Sequence, residues 1–225
     1  MHDHGHDHPQ HLTGFALRPS SGQPPTSLVV LLHGVGADGE DLIGLAPYWA
    51  PLLPETEFLS PHAPFPYDMA PMGRQWFSLA DRSPAAILAG IKTAQPILDH
   101  FLDEQLAARG LDESKLALVG FSQGTMMALY CGLRRAKAPS CILGYSGALA
   151  GAQNLASELK AKPPVMLVHG EADPVVPFAA LANAERALAA SGVPVETLGR
   201  PGLGHAIDEE GLKRGGEFLV RSLTG

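Results

Sequence analysis

Cysteine, positive charge and long unbroken apolar runs are all scarce in this sequence. Its only cysteines, Cys131 and Cys141, sit in apolar surroundings, which excludes a disulfide framework and fits two reduced, buried thiols in a cytoplasmic protein. Lys and Arg number 16 against 23 Asp and Glu, a formal net charge of -7 with no basic stripe. Nucleic acid and anionic membrane surfaces are therefore excluded as partners. The uncharged run over 116–133 is broken in its middle by Ser122, Gln123, Gly124 and Thr125, so it is a soluble core segment and not a stable membrane insertion. The N-terminus has no apolar stretch of the secretory-signal type. Internal repeats and interdomain linkers are also missing, and 45% hydrophobic content in 225 residues supports one core. The expected organisation is a histidine-rich tail over 1–12 and a single domain over 13–225.

What is present is an alternation of short apolar runs and helix-like segments. Strands are expected at "SLVVLLHG" (27–34), "EFLSP" (57–61), "KLALVG" (115–120), "SCILGYSG" (140–147), "PVMLVHG" (164–170) and "VPVETLG" (193–199). Helices are expected over 40–46, 84–109, 124–135, 177–191 and 208–223, with Pro96 breaking or kinking the second. This order implies an α/β protein with a mostly parallel sheet covered on both faces, whose strands are continuously apolar because both sides are buried. In such sheets the ligand site lies beyond the carboxyl ends of the strands.

One strand end carries "GFSQG", residues 120–124, directly before a helix. A sharp strand-to-helix turn strains its central residue and needs small neighbours, as Gly120 and Gly124 are. It would expose the Ser122 hydroxyl at a helix N-terminus, where negative charge is favoured. A capping serine in a glycine-rich turn is the plainer reading of the pentapeptide; the strand-turn-helix context favours a nucleophile. A serine nucleophile needs a base, and the base an orienting carboxylate. The chain order serine, acid, histidine selects Asp173 in "HGEADPVVP" and His205 in "GLGHAID", with Glu171 as the fallback acid and Asp208 excluded because it follows His205. The backbone N–H groups of Gln123 and of Val35, in the glycine-rich "HGVGADGED", are the expected oxyanion donors. His33 is expected to hold that loop by a hydrogen bond, and His169 to be structural.

The segments "VVLLHGVGADGEDLIGLA", "SPHAPFPYDMAPMGRQWFSL", "GFSQGTMMAL", "GYSGAL", "HGEADPVVP" and "GHAID" together resemble the phospholipase/carboxylesterase family that includes the acyl-protein thioesterases, in its bacterial branch. The likeness runs from about residue 26 to the C-terminus. It implies an α/β-hydrolase fold without a large lid, Ser122, Asp173 and His205 as the triad, and hydrolysis of carboxylic esters, thioesters or lysophospholipids. No cofactor or catalytic metal is implied.

Only 15 residues separate "GYSG" from "PPVMLV", too few for a cap domain, so the site is expected to be open. Residues 61–79 read as a long loop whose Trp76, Phe65 and Met72 form an apolar wall for an acyl chain; packing over a sheet edge is the alternative. The tail holds 5 of the 10 histidines, which fits a solvated extension or a binder of zinc or nickel outside the catalytic machinery. The leading expectation is a serine carboxylesterase acting on a small-molecule ester or thioester. The alternative is a non-catalytic ligand-binding protein on a hydrolase scaffold. A homodimer is compatible with the sequence but not required by it.

Overall fold

The computed structural model describes residues 11–224. Its strands are β1 (Gly14–Leu17), β2 (Ser27–Leu32), β3 (Thr56–Pro61), β4 (Phe65–Pro66), β5 (Arg74–Gln75), β6 (Leu116–Phe121), β7 (Cys141–Tyr145), β8 (Val165–Gly170) and β9 (Val195–Arg200). Its α-helices are α1 (Gly39–Ile43), α2 (Ala46–Trp49), α3 (Pro84–Ala108), α4 (Gln123–Gly132), α5 (Leu155–Glu158), α6 (Ala179–Ala190) and α7 (Glu209–Thr224). Seven strands form one sheet in the order β1-β3-β2-β6-β7-β8-β9. All pairings in it are parallel except β1 with β3, which is antiparallel.

Burial explains the continuous apolar runs. Along β2, Leu28, Val30 and Leu32 face a layer containing Leu98 and Leu102 of α3, Met127 of α4 and Leu188 of α6. Val29 and Leu31 face the opposite layer, with Leu42 of α1, Trp49 of α2 and Phe218 of α7. Each residue from Leu28 to Leu32 is thus committed to one of two cores, and a polar substitution on either face would be buried without a partner.

The six expected strands are all present. β1 went unread because it is a short, mostly exposed edge strand whose pairing with β3, not its own pattern, makes it a strand. Pro96 does not end α3, which runs through it from Pro84 to Ala108. Pro96 and Lys92 both lie on the exposed face, where water can satisfy the carbonyl that proline leaves without a donor. Ser83 caps the start of this helix by accepting from Ala86 N–H at 3.2 Å, and Pro84 occupies the first turn, where no N–H is needed. Residues 61–79, expected as an irregular loop, contain the two-stranded β4–β5 pair. Of the segment assigned to the histidine-rich tail, residues 1–10 lie outside the described residues. Within the rest, Leu12 packs on the core and His11 contacts α3.

Candidate active site

Ser122 stands between the end of β6 and the first residue of α4 with φ 55° and ψ -113°. A positive φ costs a serine about 1–3 kcal/mol, so the surroundings must hold it there. Its N–H donates to the Tyr145 carbonyl at 2.8 Å, while its own carbonyl accepts from Thr125 and Met126 N–H in the first turn of α4. The flanking glycines are required by contact: a Cβ at Gly120 would lie 2.4 Å from Thr125 N, and one at Gly124 would lie 1.8 Å from the Leu32 carbonyl oxygen. The turn can close only if both positions lack side chains.

Asp173 follows β8, and its carboxylate is completely engaged. Oδ1 accepts from the N–H groups of Val175 and Val176 at 2.8 and 2.9 Å, and Oδ2 lies 2.8 Å from His205 Nδ1. Burial by itself would raise the Asp173 pKa, but the bonds from His205, Val176 and Val175 outweigh it and hold the group below the ordinary carboxylate value. An ionised Asp173 makes Nδ1 the protonated nitrogen of His205 and leaves Nε2 as the basic one. The Phe121 ring lies 4.9 Å from the imidazole, centroid to centroid, limiting its tilt.

The other candidates for these positions have separate tasks. His169 is buried, lies 2.8 Å from the Val176 carbonyl through Nε2 and stands 3.5 Å from Asp173 Oδ2, so it braces the turn that aims the carboxylate. Asp208 accepts from Arg200 Nε at 2.8 Å and from Gly211 N–H at 2.9 Å at the start of α7. Burial raises its pKa, but Arg200 and the Gly211 N–H more than offset this, so it too stays below the usual range. Glu171 is exposed, and the imidazole bond goes to Asp173.

The loop after β2 carries Val35 and is held from two sides. His33 Nε2 accepts from Ala63 N–H at 2.9 Å, which requires Nδ1 to carry the proton and donate to the Gly34 carbonyl at 2.7 Å. Burial lowers the His33 pKa despite the Gly34 carbonyl and nearby carboxylates, in keeping with a neutral brace. On the other side, Gly36 N–H donates to the Arg74 carbonyl and Arg74 N–H to the Ala37 carbonyl, both at 2.8 Å. The Arg74 side chain fixes the neighbouring turn by donating to the carbonyls of Ala63 and Pro64.

Ser122, His205 and Val35 line a common cavity of about 430 Å³ together with Asp41, Leu42, Phe121, Val175 and Ile207. The proposed acyl wall of Trp76, Phe65 and Met72 is not part of it. Trp76 is fully buried, its indole N–H donates to the His33 carbonyl at 2.9 Å, and its backbone N–H donates to Gln123 Oε1 at 2.7 Å. It therefore packs beneath the site. Met72 is 82% exposed, and Phe65 is half-buried in the short strand β4. Apolar composition marked residues 61–79 as a wall, but pairing of β4 with β5 and burial of Trp76 direct the segment elsewhere. The side chain of Gln123 was also unread: it clamps Trp76 N–H and, through Nε2, the Phe77 carbonyl at 2.8 Å. Ile207 and Val175 could have been suspected from their places two residues after His205 and Asp173; Leu42 had no comparable signal.

The chain is similar in sequence and fold to several known proteins. Esterase YpfH of Escherichia coli K12 is 29% identical over 194 residues, spanning 86% of this chain and 82% of its own length. Acyl-protein thioesterase 1 of Schizosaccharomyces pombe is 30% identical over 216 residues, 88% of this chain and 91% of its own. The crystal structure of esterase PE8 superimposes with a TM-score of 0.91 at 41% identity, covering 95% of this chain and 100% of that one. With these esterases the chain shares the α/β-hydrolase fold. The model of the phospholipase/carboxylesterase family matches residues 18–223, nearly the whole described chain, and the protein belongs to that family.

Proposed function

We propose that this protein is a serine hydrolase that cleaves short- to medium-chain carboxylic esters or thioesters through an acyl-serine intermediate, residues 13–225 acting as one hydrolase domain. The observation that carries this reading is the placement of a strained serine on the wall of the same cavity as a histidine whose Nδ1 is bonded to a buried carboxylate. A ligand-binding scaffold would have no need to maintain that strain.

In the proposed cycle, His205 Nε2 takes the Ser122 proton as Oγ attacks the acyl carbonyl. The tetrahedral oxyanion is held by the N–H groups of Val35 and Gln123, which take no hydrogen-bond acceptor among the described residues. Collapse expels the alcohol or thiol with the proton from His205, leaving acyl-Ser122. Water, deprotonated by the same imidazole, then releases the carboxylic acid and restores the hydroxyl. Asp173 keeps the imidazole in the required tautomer and stabilises its charged form. Each step balances with water as the only co-reactant. Names of the similar proteins, an esterase and acyl-protein thioesterases, support this substrate class. Cys131 and Cys141, free and buried, with burial raising the pKa of both, support a reducing compartment.

The acyl group would lie against Leu42, Phe121, Val175 and Ile207. Each buried methylene contributes about 0.8 kcal/mol, and an open cavity of this size stops gaining once it is filled. In a series of p-nitrophenyl esters, kcat/KM should peak at about four to eight carbons, and Ile207→Ala should flatten the rise more than it lowers the rate on acetate. Equal losses at every length would place the acyl group on another wall.

A further inference from the structure

Outside the cleft, three metal-ligating side chains converge where the N-terminal segment crosses α3. His100 and Glu104 are one helical turn apart on the same face, and His11 is brought to them by the chain that leads into β1. His100 Nε2 lies 2.6 Å and His11 Nδ1 lies 3.2 Å from the same oxygen, Glu104 Oε1. All three candidate ligand atoms fall within 4.8 Å of one another. Zinc bound at about 2.0–2.1 Å in a tetrahedral site holds its ligand atoms about 3.4 Å apart, so small side-chain adjustments suffice. A second observation singles out the centre of this group. His100 Nε2 is shielded from solvent and, although it lies at ion-pair distance from Glu104 Oε1, makes no hydrogen bond. A shielded nitrogen facing a carboxylate and a second imidazole is better explained by a shared cation than by a hydrogen bond it does not make.

We propose that His11, His100 and Glu104 form a binding site for a divalent transition metal, zinc or nickel in type, with water completing the coordination. Two imidazoles and one carboxylate are a donor set suited to such borderline ions and poorly suited to magnesium or calcium. None of the three residues lines the catalytic cavity, so the metal would fasten the N-terminal segment to α3 and take no part in ester hydrolysis.

The remaining N-terminal histidines could also bind metal, and thermal unfolding separates the two cases. A histidine-rich segment whose ligands are neighbours in sequence binds the ion equally in folded and unfolded chains and leaves Tm unchanged. A site that joins His11 to residues of α3 exists only in the folded chain, so its ligand raises Tm. The full chain, freed of metal by chelator, is melted with and without zinc chloride at about 100 times the dissociation constant. Wild type should gain about 5–10 °C. His100→Ala and Glu104→Gln, both at partly exposed positions, should lose that gain and bind zinc at least about tenfold more weakly by titration calorimetry. No Tm rise in wild type, or a full rise in both variants, would overturn the site.

Discussion

The turn around Ser122 and the segment 61–79 meet at Gln123, yet they are held in opposite ways. At the turn, the constraints are local: Gly120 and Gly124 are small because backbone atoms within a few residues, or on the adjacent strand β2, would otherwise collide with them. Segment 61–79 takes its shape from remote partners, since Trp76 N–H and the Phe77 carbonyl are satisfied by one glutamine 47 and 46 residues away. The same Gln123 contributes its backbone to the Ser122 turn and its side chain to the buried segment. Chemistry and packing are thereby joined at a single residue.

Changes on the two sides of this junction should have different signatures. The largest effect is expected on the chemical side: Asp173→Asn should preserve the fold and lower kcat by about 10⁴, because the amide stabilises the wrong imidazole tautomer. A loss under about tenfold in steady-state assays would move the orienting role to another group. On the packing side, Trp76→Ala should cost about 3–5 kcal/mol in denaturant-derived stability, the range for a buried tryptophan, and reduce ester hydrolysis in parallel at all chain lengths. A selective loss on longer esters would restore Trp76 to the acyl wall.

The smallest of these effects tests the two aspartates against each other. Asp208→Asn should leave kcat nearly unchanged and cost about 1 kcal/mol, because only the partly exposed pair with Arg200 is weakened. Since the folded Asp208 titrates below its unfolded-state value, its contribution is present above about pH 4 and is lost as the pH falls through the folded pKa. The variant should therefore show a shallower loss of stability in acid, measured as Tm against pH. An unchanged acid limb would mean that Arg200 exerts no such hold.

The proposed catalytic positions were legible in the sequence because their turns are local. Serine between two glycines at a strand end, and an aspartate and a histidine at later strand ends, each declare their position through short-range turn chemistry. The parallel strands were legible because burial on both faces leaves them continuously apolar. Trp76 was misplaced because an aromatic residue in a proline-rich stretch has the same appearance whether it faces a ligand or a core. Its partners, His33 and Gln123, are fixed only by the tertiary fold. The cavity wall was not legible as a unit for the related reason that Leu42, Val175 and Ile207 come from three separate segments that only the tertiary fold brings together.

The most direct test of the proposed mechanism is labelling by a fluorophosphonate, which reacts with a serine only when base and oxyanion donors are in place. Intact-mass analysis should show one adduct per chain in wild type, peptide mapping should place it on Ser122, and a folded Ser122→Ala protein should take up none and lack p-nitrophenyl acetate hydrolysis. An adduct on another residue, or undiminished hydrolysis by Ser122→Ala, would contradict the assignment of Ser122 as the nucleophile.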